Sequence, residues 1–179
     1  MNRLFKSRLL SSGGRLGVLA ILISACVTGP SVKEYQSKMP DPNASLLDFG
    51  VPIQDPTPSV ISLFGWRSSR RIHEGIDFRA RIGTPVLAAE KGVVLYSGKS
   101  LRGFGVIVVI GHGDDWSSIY AHLSKSFVKR GDDVKKGARI ALSGNTGRSS
   151  GPHLHFEIRK GADPLDPLLF LKRGSFSLP

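Results

Sequence analysis

Cysteine is nearly absent: Cys26 is the only one in 179 residues. A disulfide-stapled scaffold is thereby excluded, because such a scaffold needs pairs. Long apolar runs are also missing. None approaches the roughly 20 residues that a membrane-spanning helix requires, so a helical membrane bundle is excluded. No internal repeat occurs, and no acidic residue precedes Cys26. The length allows about one ordinary domain and leaves no room for a multidomain machine. What is present suits a small β domain. Hydrophobic residues make up 40% of the chain, enough to build a core. The 21 glycines and 11 prolines favour short strands and tight turns over long helices. The formal net charge is +11, and removing Arg3, Lys6, Arg8 and Arg15 at the N-terminus leaves +7. Such a charge suits nucleic acid, anionic lipid or an anionic wall polymer equally well.

The N-terminus reads as an address. Basic residues up to Arg15 precede the short apolar stretch Leu16 to Ile23, followed by Ser24 and Ala25. A charged region, an apolar core and small residues make a secretory signal over residues 1–25. Ile23-Ser24-Ala25-Cys26 resembles a bacterial lipobox, which makes Cys26 the expected lipid anchor. Lipidation contributes about 0.8 kcal/mol per buried methylene, and more than one acyl chain makes anchoring durable. By the same resemblance, Val27 after the cysteine points to the outer membrane and a periplasm-facing protein.

Residues 26–59 are expected to form a tether. Six of the prolines fall there, from Pro30 to Pro58, and each fixes φ and removes a backbone donor. Residues 60–170 are expected to fold, with 171–179 as a C-terminal tail. Candidate strands are Gly75–Phe78, Val86–Ala89, Val93–Ser97, Val106–Ile110, Ser117–His122, Arg139–Ser143 and His153–Arg159. The β-branched run Val106–Ile110 is expected to be buried on both faces. Only Ser124–Lys129 invites a short helical turn. The fold class is all-β and mostly antiparallel, a two-layer sandwich or incomplete barrel.

Five histidines carry the chemical signal. Strand alternation puts His153, His155 and Glu157 on one face, with Leu154, Phe156 and Ile158 on the core side. His73 and Asp77 are expected on one strand face, with Gly75 leaving space between them. Two imidazoles and one carboxylate, with a fourth position left for water, form an open zinc site. His122 closes a predicted strand and is a candidate proton donor or oxyanion partner. His112 sits in a predicted hairpin and is read as structural.

Taken in order, Phe64-Gly65-Trp66-Arg67, His73-Glu74-Gly75-Ile76-Asp77, Gly83-Thr84-Pro85-Val86, Tyr120-Ala121-His122-Leu123 and the run Gly144 to Glu157 resemble the lysostaphin-type (LytM-like) zinc endopeptidases of bacterial cell walls. The resemblance spans about residues 60 to 168. It implies a β fold with an open groove, walled in part by Gly144–Gly151. It implies one Zn2+ held by His73, Asp77 and His155, with catalysis by His122 and His153. His153 is the expected base and His122 the oxyanion or leaving-group partner, although the sequence does not separate the two roles. Glu157 is a candidate to orient a histidine from behind the metal. The implied substrate is the peptide cross-link of peptidoglycan. The alternative is a non-catalytic activator of wall amidases, or a wall-binding module on the same fold. All five family positions are filled, which favours the enzyme. No nucleic-acid partner is expected, because secretion would remove the chain from it.

Overall fold

The computed structural model describes residues 48–68 and 71–179. The signal segment, Cys26 and most of the expected tether lie outside the described residues. Thirteen strands follow in order among the described residues: β1 (Val60–Ser62), β2 (Gly65–Ser68), β3 (Arg71–His73), β4 (Ile76–Arg79), β5 (Pro85–Leu87), β6 (Gly92–Gly98), β7 (Val106–Gly113), β8 (Trp116–Leu123), β9 (Lys125–Ser126), β10 (Asp133–Val134), β11 (Arg139–Leu142), β12 (His153–Lys160) and β13 (Asp163–Leu165). One 3-10 turn, Pro167–Leu169, is capped by the Asp166 side chain. The fold is all-β, as expected, and every pairing between these strands is antiparallel.

The main sheet runs β1-β4-β12-β8-β7-β6-β10, with β13 also paired to β12. A smaller sheet, β5-β11-β9, covers one face, and β2-β3 forms a separate ribbon. Neither sheet closes into a barrel. The main core fills the space between the two larger sheets. Val108, Ile110, Tyr120, Leu154, Phe156 and Ile158 enter it from the main sheet, and Val86, Ile140 and Ala141 from the small one. A second, smaller cluster (Ile107, Val109, Ile119, Ala121) covers part of the other face of the main sheet. The run Val106–Ile110 therefore feeds both clusters in alternation, as its unbroken β-branched character requires.

Ser124–Lys129 is not helical. Lys125 and Ser126 form β9 and pair with Leu142 and Ala141 of β11, and the Phe127 amide donates to the Ile140 carbonyl. Six residues are too few for a stable helix, and the β11 edge supplies ladder partners instead. The packed body also reaches beyond residues 60–170. Phe49 and Ile53 are buried, Leu171 bridges to Phe49, and Phe176 packs edge-on against Phe78.

Beneath the main sheet lies a closed polar network. The Tyr120 hydroxyl accepts from the Ala89 amide at 2.8 Å and lies 2.9 Å from the Ser118 hydroxyl. His112 Nδ1 donates to the Lys91 carbonyl, leaving Nε2 to accept from Ser118. Burial pushes the Tyr120 phenol up to about 12 and lowers the His112 imidazole below its ordinary value. His112 is thus a satisfied structural residue on β7.

Candidate metal centre

The cluster begins with strand register. On β12 and β4, His155 pairs directly with Asp77. Opposed side chains on one face of such a pair have Cβ atoms about 4.5–5.5 Å apart. His73 reaches the same place from the end of β3. It does not share a strand with Asp77: Glu74 and Gly75 break the chain between β3 and β4, and the turn of direction brings the two side chains together. Gly75 is where β12 passes closest. A Cβ there would lie 2.3 Å from the Phe156 carbonyl oxygen, so no larger residue fits without moving the strand.

The three donors form a small triangle. His73 Nε2 lies 3.1 Å from Asp77 Oδ1 and 3.1 Å from His155 Nδ1, and His155 Nδ1 lies 2.9 Å from Asp77 Oδ1. Two ligands bound at about 2.05 Å in a tetrahedral site stand about 3.4 Å apart, so this triangle fits one ion. His73 Nδ1 lies 2.7 Å from the Leu63 carbonyl and 2.8 Å from the Arg67 guanidinium, so the ring is held from behind with Nε2 facing the Asp77 carboxylate. His155 has an acceptor on each side, Asp77 at Nδ1 and Glu157 Oε1 at Nε2, 2.9 Å away. Burial lowers the affinity of this imidazole for a second proton, but hydrogen bonds to Asp77 and Glu157 outweigh burial and raise its pKa to about 9 without an ion. Burial likewise works to raise the Asp77 carboxyl, yet the His155 and His73 hydrogen bonds hold it well below the ordinary range. The His73, Asp77 and His155 atoms can together hold a metal ion.

Two more histidines flank the triangle. Their rings are 4.8 Å apart, and His153 Nε2 lies 3.7 Å from Asp77 Oδ1. His153 Nδ1 donates to the Gly151 carbonyl at 2.7 Å, and His122 Nδ1 to the Thr146 carbonyl at 2.8 Å. In both rings the Nδ1 edge is tied to backbone, so Nε2 is the atom available to the cleft. His122 reaches this face through a β-bulge. Leu123 pairs with Val106 and Tyr120 with Val108, so β8 spends one residue more than β7 between those pairs. Tyr120 and Leu123 both point into the core, while His122 sits at φ 58°. A bulge of this kind re-aims a side chain, here from the core face to the cleft. Burial lowers the His122 imidazole to about 4, helped by the neighbouring His155 and His153.

Behind the triangle runs a buried charge network. Glu157 Oε2 accepts from Arg159 Nε at 2.7 Å, and Arg159 also pairs with Glu74. Arg159 is 2% exposed. Burial works to raise the Glu157 carboxyl, but Arg159 and His155 bring it down to about 2. Sequence reasoning found Glu157 and missed Arg159 and Glu74. The signal existed: His153, His155, Glu157 and Arg159 continue one alternating strand face.

The cluster opens into a cleft of about 570 Å³. Its walls include the β2-β3 ribbon, through Arg67 and Arg71, and the loop before β12, through Arg148, Ser149 and Ser150. That loop is seated by a close crossing. Gly147, at φ 74°, passes so near Gly105 that a Cβ would lie 2.3 Å from the Gly105 nitrogen.

The open face of an antiparallel sheet, carrying this triangle at the floor of a cleft, defines the class: an all-β fold with a metal-type cluster. Residues 71–167 match Peptidase family M23, and the chain belongs to that family. The catalytic domain of lysostaphin from Staphylococcus simulans is similar in structure, with a TM-score of 0.59 and 36% identity, covering 63% of this chain and 90% of that one. Three curated relatives are similar in sequence. The lipoprotein NlpD/LppB homolog of Pseudomonas aeruginosa is 42% identical over 65% of this chain and 39% of its own length. The murein hydrolase activator NlpD of Salmonella dublin is 38% identical over 84% of this chain and 39% of its own. The peptidoglycan DD-endopeptidase ShyA of Vibrio cholerae is 46% identical over 54% of this chain and 22% of its own. The chain thus spans less than two fifths of the length of these relatives.

Proposed function

We propose that the chain is a zinc-dependent endopeptidase that hydrolyses peptide cross-links of peptidoglycan. The observation that carries this reading is the His73, Asp77 and His155 triangle, with both His122 and His153 beside it. In this reading those three residues hold one zinc ion. Bound zinc would lower the pKa of a water toward 7 and stabilise charge developing on the amide oxygen.

The chain's own residues supply the rest. His153 Nε2 takes the proton of the attacking water, while its Nδ1 proton stays fixed on the Gly151 carbonyl. His122, neutral because of burial, keeps its Nδ1 proton on the Thr146 carbonyl, so its Nε2 accepts a hydrogen bond from the attacking water, and His153 passes the proton it has taken to the leaving amine. Glu157 keeps the His155 proton on Nε2, which leaves Nδ1 free as a ligand. The family and the endopeptidase relative support this reading.

A second reading draws on the Salmonella relative, whose name is that of an activator: the same cleft serves a non-catalytic partner of wall amidases. One experiment separates them. Purified protein lacking the signal segment is mixed with cross-linked muropeptides, with and without chelator. The enzyme reading predicts chelator-sensitive cleavage that is lost in His155→Ala. Stimulation of an amidase without any such cleavage would establish the activator instead.

The lipobox-like Ile23–Cys26 segment supports a lipid anchor at Cys26, with the domain facing the periplasm from the outer membrane. The lipoprotein name of the Pseudomonas relative points the same way. Cys26→Ser should abolish acyl labelling, and a variant still labelled would refute the anchor.

A further inference from the structure

The small sheet turns one face to the core, and its outer face has a chemistry of its own. Along β9 and just beyond it the side chains alternate. The Ser126 hydroxyl points inward, 2.8 Å from that of Ser97 on β6, and Val128 packs on the main core. Lys125 and Phe127 therefore point outward. Phe127 is 43% exposed, and two cations flank its ring. Lys125 Nζ stands 5.4 Å from the ring centroid, and the Arg139 guanidinium of β11 stands 5.2 Å from it. The turn after β9 adds the exposed Lys129 and Arg130 at the margin, and the turn before β11 adds Lys135. Among the described residues, no carboxylate forms an ion pair with any of these five cations. The face lies across the core from His153 and His155, because Leu154, Phe156 and Ile158 of the same strand fill the core beneath the small sheet.

The chain also enters the domain on the core side of the main sheet. Phe49 is buried in the main core, and the segment after it runs beside β5 as a further edge of the small sheet. The Gly50 amide donates to the Ala89 carbonyl, the Leu87 amide to Pro52 and the Gln54 amide to Pro85. Lys136 holds the start of this segment through ion pairs with Asp48 and Glu90. Twenty-one residues separate Cys26 from Asp48, and even fully extended they span at most about 75 Å. A bilayer that holds Cys26 is thus within reach of the small sheet, and a weak contact suffices for a surface kept so close.

An anionic lipid surface attracts Lys and Arg, and aromatic rings settle at the level of its headgroups. A cation lying over a ring can keep its charged end at the phosphates while the ring meets the apolar boundary. We propose that Lys125, Phe127 and Arg139 form a docking face for an anionic phospholipid surface, with Lys129, Arg130 and Lys135 around it. Docked in this way, the domain turns its cleft away from the bilayer. The proposal goes beyond the peptidase reading and takes its geometry from the anchor at Cys26.

The test is co-sedimentation of the chain from Val27 onward, without an acyl group, with vesicles. One set is pure phosphatidylcholine, and the other is phosphatidylcholine mixed with phosphatidylglycerol. Wild type should partition onto the mixed vesicles roughly tenfold or more above the neutral ones. That preference should fall as salt is raised, because exposed charges are screened. The Lys125→Gln/Arg139→Gln variant should lose binding several-fold. The Arg71→Gln/Arg148→Gln variant removes the same charge from the cleft walls and should bind as wild type does. Fluorescence of the Phe127→Trp variant should shift to the blue on mixed vesicles, by more than that of wild type, and be quenched by brominated lipid.

Equal partition onto both vesicles in wild type would overturn the proposal. Equal losses in the two charge variants would also overturn it, since net charge alone would then explain binding. So would a Phe127→Trp variant whose emission does not respond to the bilayer. Binding to purified peptidoglycan sacculi that needs Lys125 and Arg139, with no binding to vesicles, would make the face a wall-polymer site and refute lipid docking. None of these readouts needs zinc, cleavage or an acyl chain, so failure of the peptidase or the anchor reading would leave them unchanged.

Discussion

His155 has a partner for each ring nitrogen, and the two partners do different work. Nδ1 turns to the cleft with Asp77 and His73, while Nε2 is fixed by Glu157, itself held by Arg159. A carboxylate behind a ligating imidazole sets its tautomer and strengthens it as a donor, and losing such a group typically costs 10–100-fold in metal affinity. Glu157→Gln should therefore weaken zinc binding by roughly that factor in a chelator-competition titration. It should also lower thermal stability, because Arg159 loses one of its buried counter-charges. A loss of stability with unchanged zinc affinity would make Glu157 a partner of Arg159 alone.

Strand register and two local irregularities assemble the site. The pairing of β4 with β12 puts Asp77 against His155, and it depends on Gly75 letting the Phe156 carbonyl pass. Gly75→Ala places a methyl group against backbone, which cannot swing aside as a side chain could. The expected cost is about 1–3 kcal/mol, seen as a drop of several degrees in the unfolding midpoint, with weaker metal binding as the strands part. An unchanged midpoint would show that β12 is less constrained than the contacts require. Much of this scale was legible in the sequence. Alternation along His153–Ile158 separated the site face from the core face, and the β-branched run Val106–Ile110 marked a strand buried on both sides. Other parts carried no readable pattern. β2, β3, β9, β10 and β13 are two to four residues long, too short for periodicity to show, and they form because a neighbouring edge offers partners. The bulge at His122 was hidden as well, since a histidine at positive φ leaves no mark in composition; only the pairing with β7 reveals it.

Across the whole molecule, the division of labour follows the two faces of the main sheet. One face is sealed against β5-β11-β9 and carries most of the buried apolar side chains. The other bears His122, His153 and His155, the second small cluster and the cleft. The site can therefore stay open to water without exposing the main core. Its donors must be held together by the surrounding fold until an ion joins them, so metal binding and folding are coupled. An ion present at a hundred times its dissociation constant adds about 2.7 kcal/mol to the folded state. The most direct test is the zinc content of the purified protein, measured by elemental mass spectrometry after dialysis against buffered zinc. The account predicts one zinc per wild-type chain and almost none in His73→Ala, Asp77→Ala or His155→Ala folded to the same degree. Zinc retained in those variants, or no zinc in the wild type, would contradict it.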